Sequence, residues 1–171
     1  MSELASRLAD DEDLAWAELY DMTIDAMFAY VTVMVGNREA AADVVQETFL
    51  RLHRSRDRLR GVEDLNGFVF TVVRNEARRS LARNRKHASK GELTEPPIDE
   101  ISLSHDDDIE LIHHALARLS LDERELIQMK IFAHMTFSQI AAVLDLPIGT
   151  CTSRYRRSLE KMRVFLQEQI G

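Results

Sequence analysis

Residues 136–157 read TFSQIAAVLDLPIGTCTSRYRR and contain the start and stop signals of two consecutive helices. Thr136 is followed three places later by Gln139, an arrangement in which each side chain can satisfy a free backbone N–H group at a helix start. The apolar residues between Ile140 and Leu144 then face inward. Pro147 disfavours helical geometry at the residue before it, so the first helix ends there.

The second helix of this stretch opens around Gly149–Thr150 and has two contrasting faces. Its inward stripe, with a spacing of four, three and four, is Cys151, Tyr155, Ser158 and Met162. Its opposite face is basic and rich in hydroxyl groups, and consists of Thr150, Thr152, Ser153, Arg154, Arg156 and Arg157. In a helix-turn-helix, such an end enters the DNA major groove, where arginine and short hydroxyl side chains contact bases and phosphates. The pattern predicts a DNA-binding helix-turn-helix from about Thr136 to Arg163, the alternative being a helical hairpin with a solvated arginine face.

The net charge of −7 hides an alternation of acidic and basic segments along the 171 residues. Residues 1–50 carry 11 acidic and 2 basic side chains, whereas residues 51–91 carry 4 and 12. Residues 92–125 are again acidic, with 11 acidic and 2 basic side chains. Residues 126–171 are basic, with 3 acidic and 6 basic side chains. Single charge clusters are commonly solvated faces. Here the basic blocks coincide with the helix-turn-helix and with a second candidate DNA surface.

The composition narrows the class of protein. No apolar run approaches the roughly 18 residues of a membrane helix, and the acidic N-terminus does not resemble a secretory signal, so we expect a cytoplasmic protein. Cys151 is the only cysteine, which excludes an internal disulfide, and we interpret it as a small core residue. The histidines show no metal spacing, and we assign no metal and no cofactor.

Helical periodicity also dominates the N-terminal part. Apolar spacing of threes and fours predicts a helix over residues 13–35, stopped at Gly36, and another from Arg38 with Val44, Val45, Phe49, Leu50 and Leu52 facing inward. A loop follows, and Asn66 is expected to cap a third helix. That helix is expected to bury Phe68, Val69, Val72, Val73, Ala77 and Leu81, and its other face carries Arg74, Arg78, Arg79, Arg83 and Arg85.

Periodicity is lost between about His87 and Asp108, where Pro96 and Pro97 lie among acidic residues. Such a composition is typical of a linker. No strand-like alternation is present. The sequence predicts an all-α protein with two small helical domains, residues 1–90 and 109–171, joined by a flexible acidic linker over residues 91–108.

Two sets of motifs resemble the extracytoplasmic-function (ECF) group of bacterial RNA polymerase sigma factors, in the sigma-70 family. The C-terminal set is ALARL at 115–119, DERE at 122–125, TFSQIA at 136–141, LPIGT at 146–150 and SR at 153–154. The N-terminal set is DVVQETFLR at 43–51, FVF at 68–70 and RN at 74–75. The two sets occur in the family's order and together cover nearly the whole chain.

The resemblance implies a role for each segment. The helix around residues 43–51 docks on the clamp of core RNA polymerase in this family, which implies core contacts at Asp43, Gln46, Glu47 and Arg51. The third helix and the loop before it bind the −10 promoter element and hold a flipped base. The candidates for that surface are Arg60, Asn66, Arg74, Asn75 and Arg78. The last helix reads the −35 element, through Thr152, Ser153, Arg156 and Arg157, with Arg154 on phosphate.

The resemblance further implies an anti-sigma factor as a partner, besides core polymerase (clamp and flap regions) and promoter DNA. Residues 91–108 would be either a solvated tether or a segment that enters the polymerase active-site channel. Three positions depart from the family pattern: Phe68 where Trp is frequent, Arg79 where Asp is common, and Thr152 where Lys or Arg is common.

Two functional alternatives compete with an alternative sigma factor. One is a helix-turn-helix regulator that acts without core polymerase, which predicts paired half-sites and tight DNA binding by the isolated protein. The other is a partner-binding scaffold that no longer binds DNA. An enzyme is not expected, because the sequence has no nucleophile and base set, phosphate-binding glycine loop or metal spacing.

Overall fold

The computed structural model describes residues 2–87 and 107–170, and every regular element in these two ranges is helical. The N-terminal helices are α1 (Ser2–Ala9), α2 (Asp13–Val35), α3 (Arg38–Arg54), a 3-10 turn (Arg56–Leu59) and α4 (Leu65–His87). The C-terminal helices are α5 (Asp107–Ala117), α6 (Leu121–Ile131), α7 (Phe137–Leu144) and α8 (Ile148–Ile170). Most of the predicted linker lies outside the described residues.

The predicted boundaries of α2 and the predicted start of α3 are confirmed. Gly36 ends α2 in the left-handed conformation, with φ of 75°, and its N–H bonds to the Thr32 carbonyl. Asn37 then starts α3 by accepting a hydrogen bond from the Ala40 N–H at 2.9 Å. α1 was not expected from the sequence; it buries Leu4, Ala5, Leu8 and Ala9 and packs against the 3-10 turn and α2.

The start of α4 differs from the prediction, because Asp64 caps this helix and Asn66 does not. Asn66 is the second residue of α4, whereas Asp64 Oδ1 accepts a hydrogen bond from the Gly67 N–H at 3.0 Å. A Cβ atom at position 67 would clash with the Asp64 carboxylate, so a larger residue there would displace this cap. Asn66 is therefore free to contact another part of the chain.

Two of the C-terminal helices begin with the reciprocal cap that the sequence indicates for α7. Thr136 Oγ1 accepts the Gln139 N–H at 3.2 Å, and Gln139 Oε1 accepts the Thr136 N–H at 2.8 Å. Ser120 and Glu123 form the same arrangement at α6. Asp145 ends α7 in a left-handed conformation, and a short connection leads directly into α8.

A single buried apolar cluster joins the N-terminal and C-terminal helices, since α6 packs on α2 and α7 on α4. Cys151 is fully buried, as predicted. Six residues expected to face inward do so only in part: Leu50 is 43% exposed, and five are half-buried, namely Phe49, Phe68, Val72, Tyr155 and Met162. Phe49, Leu50, Phe68 and Val72 border grooves. Among residues 2–87 and 107–170, none of the helices has the combined length and apolar character of a membrane-spanning segment.

Candidate DNA-binding and partner-binding surfaces

A basic groove of about 1040 Å³ lies between α3, the 3-10 turn and α4. The arginines that line it are Arg51, Arg54, Arg58, Arg78 and Arg79. The half-buried ring of Phe68 and the exposed amide of Asn75 line it as well. The groove thus combines positive charge, an aromatic face and an amide, which are the features that hold single-stranded nucleic acid. Arg54 and Arg58 were missed from the sequence, because they belong to the end of α3 and the turn after it.

A buried carboxylate, Glu76, positions two of these arginines. It is 3% exposed and is the one acidic residue of α4. Its Oε1 lies 2.7 Å from Arg51 Nε and 3.3 Å from Arg79 Nη1. Both arginines remain partly exposed, so Glu76 restrains their guanidinium groups while the groove stays positively charged. The arginine at position 79, which departs from the family pattern, therefore has an ion-pair partner in this chain.

Another buried carboxylate, Glu125 of α6, contacts the opposite edge of α4. Its Oε1 lies 2.9 Å from Arg74 Nε, and its Oε2 lies 3.2 Å from Arg78 Nη2. The hydroxyl of Tyr30, which is fully buried on α2, donates to Glu125 Oε1 at 2.7 Å. Burial and the charge of Glu125 raise the pKa of Tyr30 well above its ordinary value, so the hydroxyl stays protonated and donates.

The remaining candidates around α4 lie in different surroundings. Asn66 Nδ2 donates to the Ala133 carbonyl at 3.3 Å, across from α4 to the C-terminal helices. Arg60 pairs with Asp10 after α1, and the hydrogen bond and charge of Asp10 raise the pKa of Arg60. The five residues predicted for the −10 surface are therefore divided. Asn75 and Arg78 line the basic groove, Arg74, Arg78 and Asn66 contact the C-terminal helices, and Arg60 lies beside the α1 turn.

The predicted −35 residues all lie in the first turns of α8. Thr152, Arg156 and Arg157 are exposed, and Ser153 and Arg154 are half-buried. The Thr152 hydroxyl donates to the Ile148 carbonyl at 3.0 Å, which leaves its oxygen able to accept. In the part of the chain that the structure describes, no carboxylate forms an ion pair with Arg154, Arg156 or Arg157. Their charges are available for phosphates or bases.

The predicted core-polymerase contacts follow one side of α3. Asp43 and Gln46 are exposed, and Glu47 is half-buried between Arg51 and Arg54, with its Oε1 4.0 Å from Arg51 Nη2 and 3.7 Å from Arg54 Nη1. Arg51 also faces Glu76, so it connects this side of α3 with the basic groove.

An apolar groove of about 700 Å³ between α2 and α3 adjoins Gln46. Its walls are mainly aromatic and aliphatic: Trp16, Tyr20, Ile24, Phe28, Val45, Phe49 and Leu50. This groove was missed from the sequence. The recurrence of aromatic residues on α2 at positions 16, 20 and 28 is the signal that indicates it, because positions four and eight apart lie near one another on a helix.

Two family models match the chain. Residues 19–87 match Sigma-70 region 2, and residues 109–162 match Sigma-70, region 4. The first match covers α3, α4 and most of α2, including the basic groove. The second covers most of α5, all of α6 and α7, and more than half of α8.

Curated and solved relatives agree with these matches. The chain is 32% identical over 158 residues to the ECF RNA polymerase sigma factor SigL of Mycobacterium tuberculosis, and the aligned part is 88% of each chain. Its fold is similar to that of the sigma factor RpoE in complex with the anti-sigma factor NepR from Bartonella quintana, with a TM-score of 0.75, 23% identity and coverage of 88% and 96%. The fold is also similar to that of CnrH in complex with the cytosolic domain of CnrY, with a TM-score of 0.75 and 21% identity. That match covers 98% of this chain and 97% of CnrH.

Proposed function

Because the chain belongs to the ECF group of RNA polymerase sigma factors, we propose that it binds core RNA polymerase, recognises the −10 and −35 promoter elements and initiates transcription. Within this proposal, residues 1–90 bind core enzyme and open the promoter, residues 109–171 bind the upstream element, and residues 91–108 link the two. The protein acts in the cytoplasm and is not an enzyme by itself. The observation that carries the proposal is the basic groove with Phe68 and Asn75 in its wall.

The basic groove suits an unpaired base and its phosphates. Extruding a base from duplex DNA costs a few kcal/mol, which stacking and contacts to the base edge must offset. Phe68 offers a face for stacking, the Asn75 amide can donate to and accept from a base edge, and the arginines neutralise neighbouring phosphates. Arg78, which also lines the groove, adds to this charge. Arg74, Asn66 and Arg60 are included in the proposed −10 surface because the family resemblance implies them; in this structure they contact Glu125, Ala133 and Asp10.

The first turns of α8 suit duplex DNA. Arg156 and Arg157 are exposed and lack carboxylate partners in the described ranges, so either can make paired hydrogen bonds to a guanine. Arg154 is half-buried, a position better suited to a phosphate. The hydroxyl groups of Thr152 and Ser153, on the same surface, can donate or accept hydrogen bonds at short range.

Core polymerase is proposed to bind the exposed side of α3, through Asp43, Gln46, Glu47 and Arg51, and the apolar groove beside Gln46 extends that surface. The structural relative RpoE was solved with the anti-sigma factor NepR, which supports a partner of the same kind for this chain. That partner would restrain the sigma factor until a signal releases it.

Assembly with core polymerase tests this proposal. Purified protein is mixed with core enzyme that lacks any sigma factor, and the complex is measured by size-exclusion chromatography. We expect a stable complex, which the charge reversal Asp43→Arg weakens by about tenfold or more. The matched control, Glu168→Arg, places the same change in the last turns of α8. A wild-type protein that does not assemble with core enzyme, yet binds paired half-sites tightly by itself, would identify a stand-alone regulator.

A further inference from the structure

The 3-10 turn Arg56–Leu59 and the residue after it carry arginines in two different surroundings. Arg58 lines the basic groove, whereas Arg56 and Arg60 lie outside its lining. Leu59, in the same turn, is fully buried. A turn of four residues moves as a unit, so whatever holds Arg56 and Arg60 also fixes where Arg58 lies in the groove.

Helix α1 packs against this turn. Its apolar side is buried in the same cluster as Leu59, through Leu4, Ala5, Leu8 and Ala9. The match to Sigma-70 region 2 begins at residue 19, so α1 lies outside that match. The attachment of α1 to the turn is thus a feature of this chain that the family match does not describe.

The connection between α1 and α2 holds the 3-10 turn at both ends. Asp11 Oδ2 lies 3.4 Å from Arg56 Nε, and Asp11 Oδ1 lies 2.9 Å from Nε2 of His53, near the end of α3. Asp10 forms an ion pair with Arg60, which follows the turn. The backbone of Asp11 is left-handed, with φ of 61°, a conformation that aspartate tolerates better than most residues. Two consecutive carboxylates therefore hold residues before, within and after the turn.

The side chains of these ion pairs are between 36% and 60% exposed. Exposed ion pairs contribute little to the stability of a fold, so we expect these pairs to act locally. They restrain the turn, and they neutralise Arg56 and Arg60, whose charges would otherwise attract phosphates outside the groove. DNA is thereby directed to the side of the turn that carries Arg58.

We propose that α1 and the residues Asp10 and Asp11 are a positioning element for −10 recognition, and that Arg60 acts through Asp10 and not by contact with DNA. The inference rests on the proposed function, since it assumes that the basic groove receives the −10 strand. It gives Arg60, which the family resemblance includes in the −10 surface, an indirect role there. Arg60 holds the turn, and Arg58 faces the strand.

Exchange of the two charges tests the role of Arg60. Asp10→Arg and Arg60→Asp each break the pair, and the two substitutions together restore it with the charges exchanged. The readout is transcription by core polymerase with the full chain, from a promoter active with the wild-type protein and from its single-base −10 variants. We expect each single substitution to lower the preference for the original −10 sequence about fivefold, and the double substitution to restore most of it.

Hydrogen exchange of the backbone amides in residues 55–64 reports the order of the loop in the full chain without polymerase. Within this loop the Arg58 N–H bonds to the Ser55 carbonyl at 2.9 Å. We expect exchange to be about fivefold faster in each single variant and to return to the wild-type rate in the double variant. Asp13→Arg, at an exposed carboxylate two residues after Asp11, is the matched control and should change neither readout. Circular dichroism melts confirm that each variant is folded.

Recovery of both the −10 preference and slow exchange in the double variant supports the proposal. Recovery of slow exchange without recovery of the preference would overturn it, since Arg60 would then contact DNA itself. Single variants with unchanged exchange and unchanged preference would also overturn it, because the loop would not need the pair. Failure of the proposed function is distinct: the wild-type protein would then give no transcript with core polymerase, whereas exchange would still report whether Asp10 holds the loop.

Discussion

Asp64 Oδ1 accepts hydrogen bonds from both the Gly67 N–H, at 3.0 Å, and Gln139 Nε2, at 2.8 Å. One carboxylate oxygen thereby caps α4 and contacts the side chain that caps α7. Gln139 uses its other amide atom, Oε1, for the Thr136 N–H at 2.8 Å. The starts of two helices that are distant in sequence are therefore stabilised together.

Removing this shared cap should destabilise the fold. Asp64→Ala is expected to lower the free energy of unfolding by about 1–2 kcal/mol, the usual cost of losing a helix cap. Urea denaturation followed by circular dichroism measures it. Glu63→Ala, an exposed neighbour in the same loop, serves as control and should change stability by less than about 0.5 kcal/mol. Equal effects of the two substitutions would show that the cap contributes nothing.

Asn75 is expected to contribute to promoter opening more than to stability. Asn75→Ala should lower the rate of open-complex formation about tenfold or more, because the exposed amide is the proposed contact to an unpaired base edge. Permanganate reactivity of unpaired thymines, on a promoter active with the wild-type protein, measures opening. Arg83→Ala, an exposed arginine further along α4, should have a much smaller effect. If both substitutions reduce opening equally, the Asn75 amide makes no specific contact to an unpaired base, and the effect is one of overall binding to DNA.

Arg156 is expected to contribute to sequence preference, whereas Arg154 is expected to contribute to affinity for DNA of any sequence. Arg156→Ala should lower affinity for the upstream element by about 1–3 kcal/mol and relax the preference at one base pair. Arg154→Ala should weaken binding to all sequences alike and reduce the salt dependence by about one ion. Competition with single-base variants at several salt concentrations measures both. Arg163→Ala, later on α8, is the control, and a loss of sequence preference there would contradict the assignment.

Glu123 should make the C-terminal helices sensitive to acid. Burial favours its neutral form, but hydrogen bonds from Lys161 and from the Ser120 backbone and hydroxyl outweigh burial and lower the pKa of Glu123. A lowered folded-state pKa adds stability above the unfolded value near 4.3, and that stability is lost as the pH falls through the folded-state pKa.

The substitution Glu123→Gln tests this dependence. At pH 7 the variant is expected to be about 0.5–1 kcal/mol less stable than the wild type, and the two stabilities should converge below about pH 4. Urea unfolding across this range measures the difference. Glu160→Gln should be indistinguishable from the wild type at every pH, because the Glu160 and Arg163 side chains are both mostly exposed. A constant difference between Glu123→Gln and wild type down to pH 3 would contradict the assignment.

Local sequence signals predicted the helices well, because caps and apolar spacing act over a few residues. Gly36 stops α2, and Thr136 with Gln139 starts α7, as expected. The sequence pattern favours Asn66 as the cap of α4, since an amide before an apolar run is a common cap. The choice between Asn66 and Asp64 depends on the close approach of Asp64 to Gly67, which spacing does not reveal.

The site residues were only partly predictable for a similar reason. The arginine face of α4 is visible in the sequence, but which of its arginines line the open groove and which contact α6 and α7 depends on tertiary packing. Glu76 lies within the basic segment of residues 51–91, and Glu125 lies within the DERE motif at 122–125. Neither stands out in the sequence as a buried partner of arginines. Their burial against arginines results from tertiary packing, which no periodicity reports.

Transcription in vitro shows most directly whether this protein works as a sigma factor. Core polymerase without a sigma factor is incubated with this protein and fragmented DNA of the host genome, and the 5′ ends of the transcripts are mapped. We expect discrete start sites that require the protein, share two upstream elements and are lost with Asn75→Ala combined with Arg156→Ala. Random initiation, or start sites that the double substitution leaves unchanged, would contradict that role.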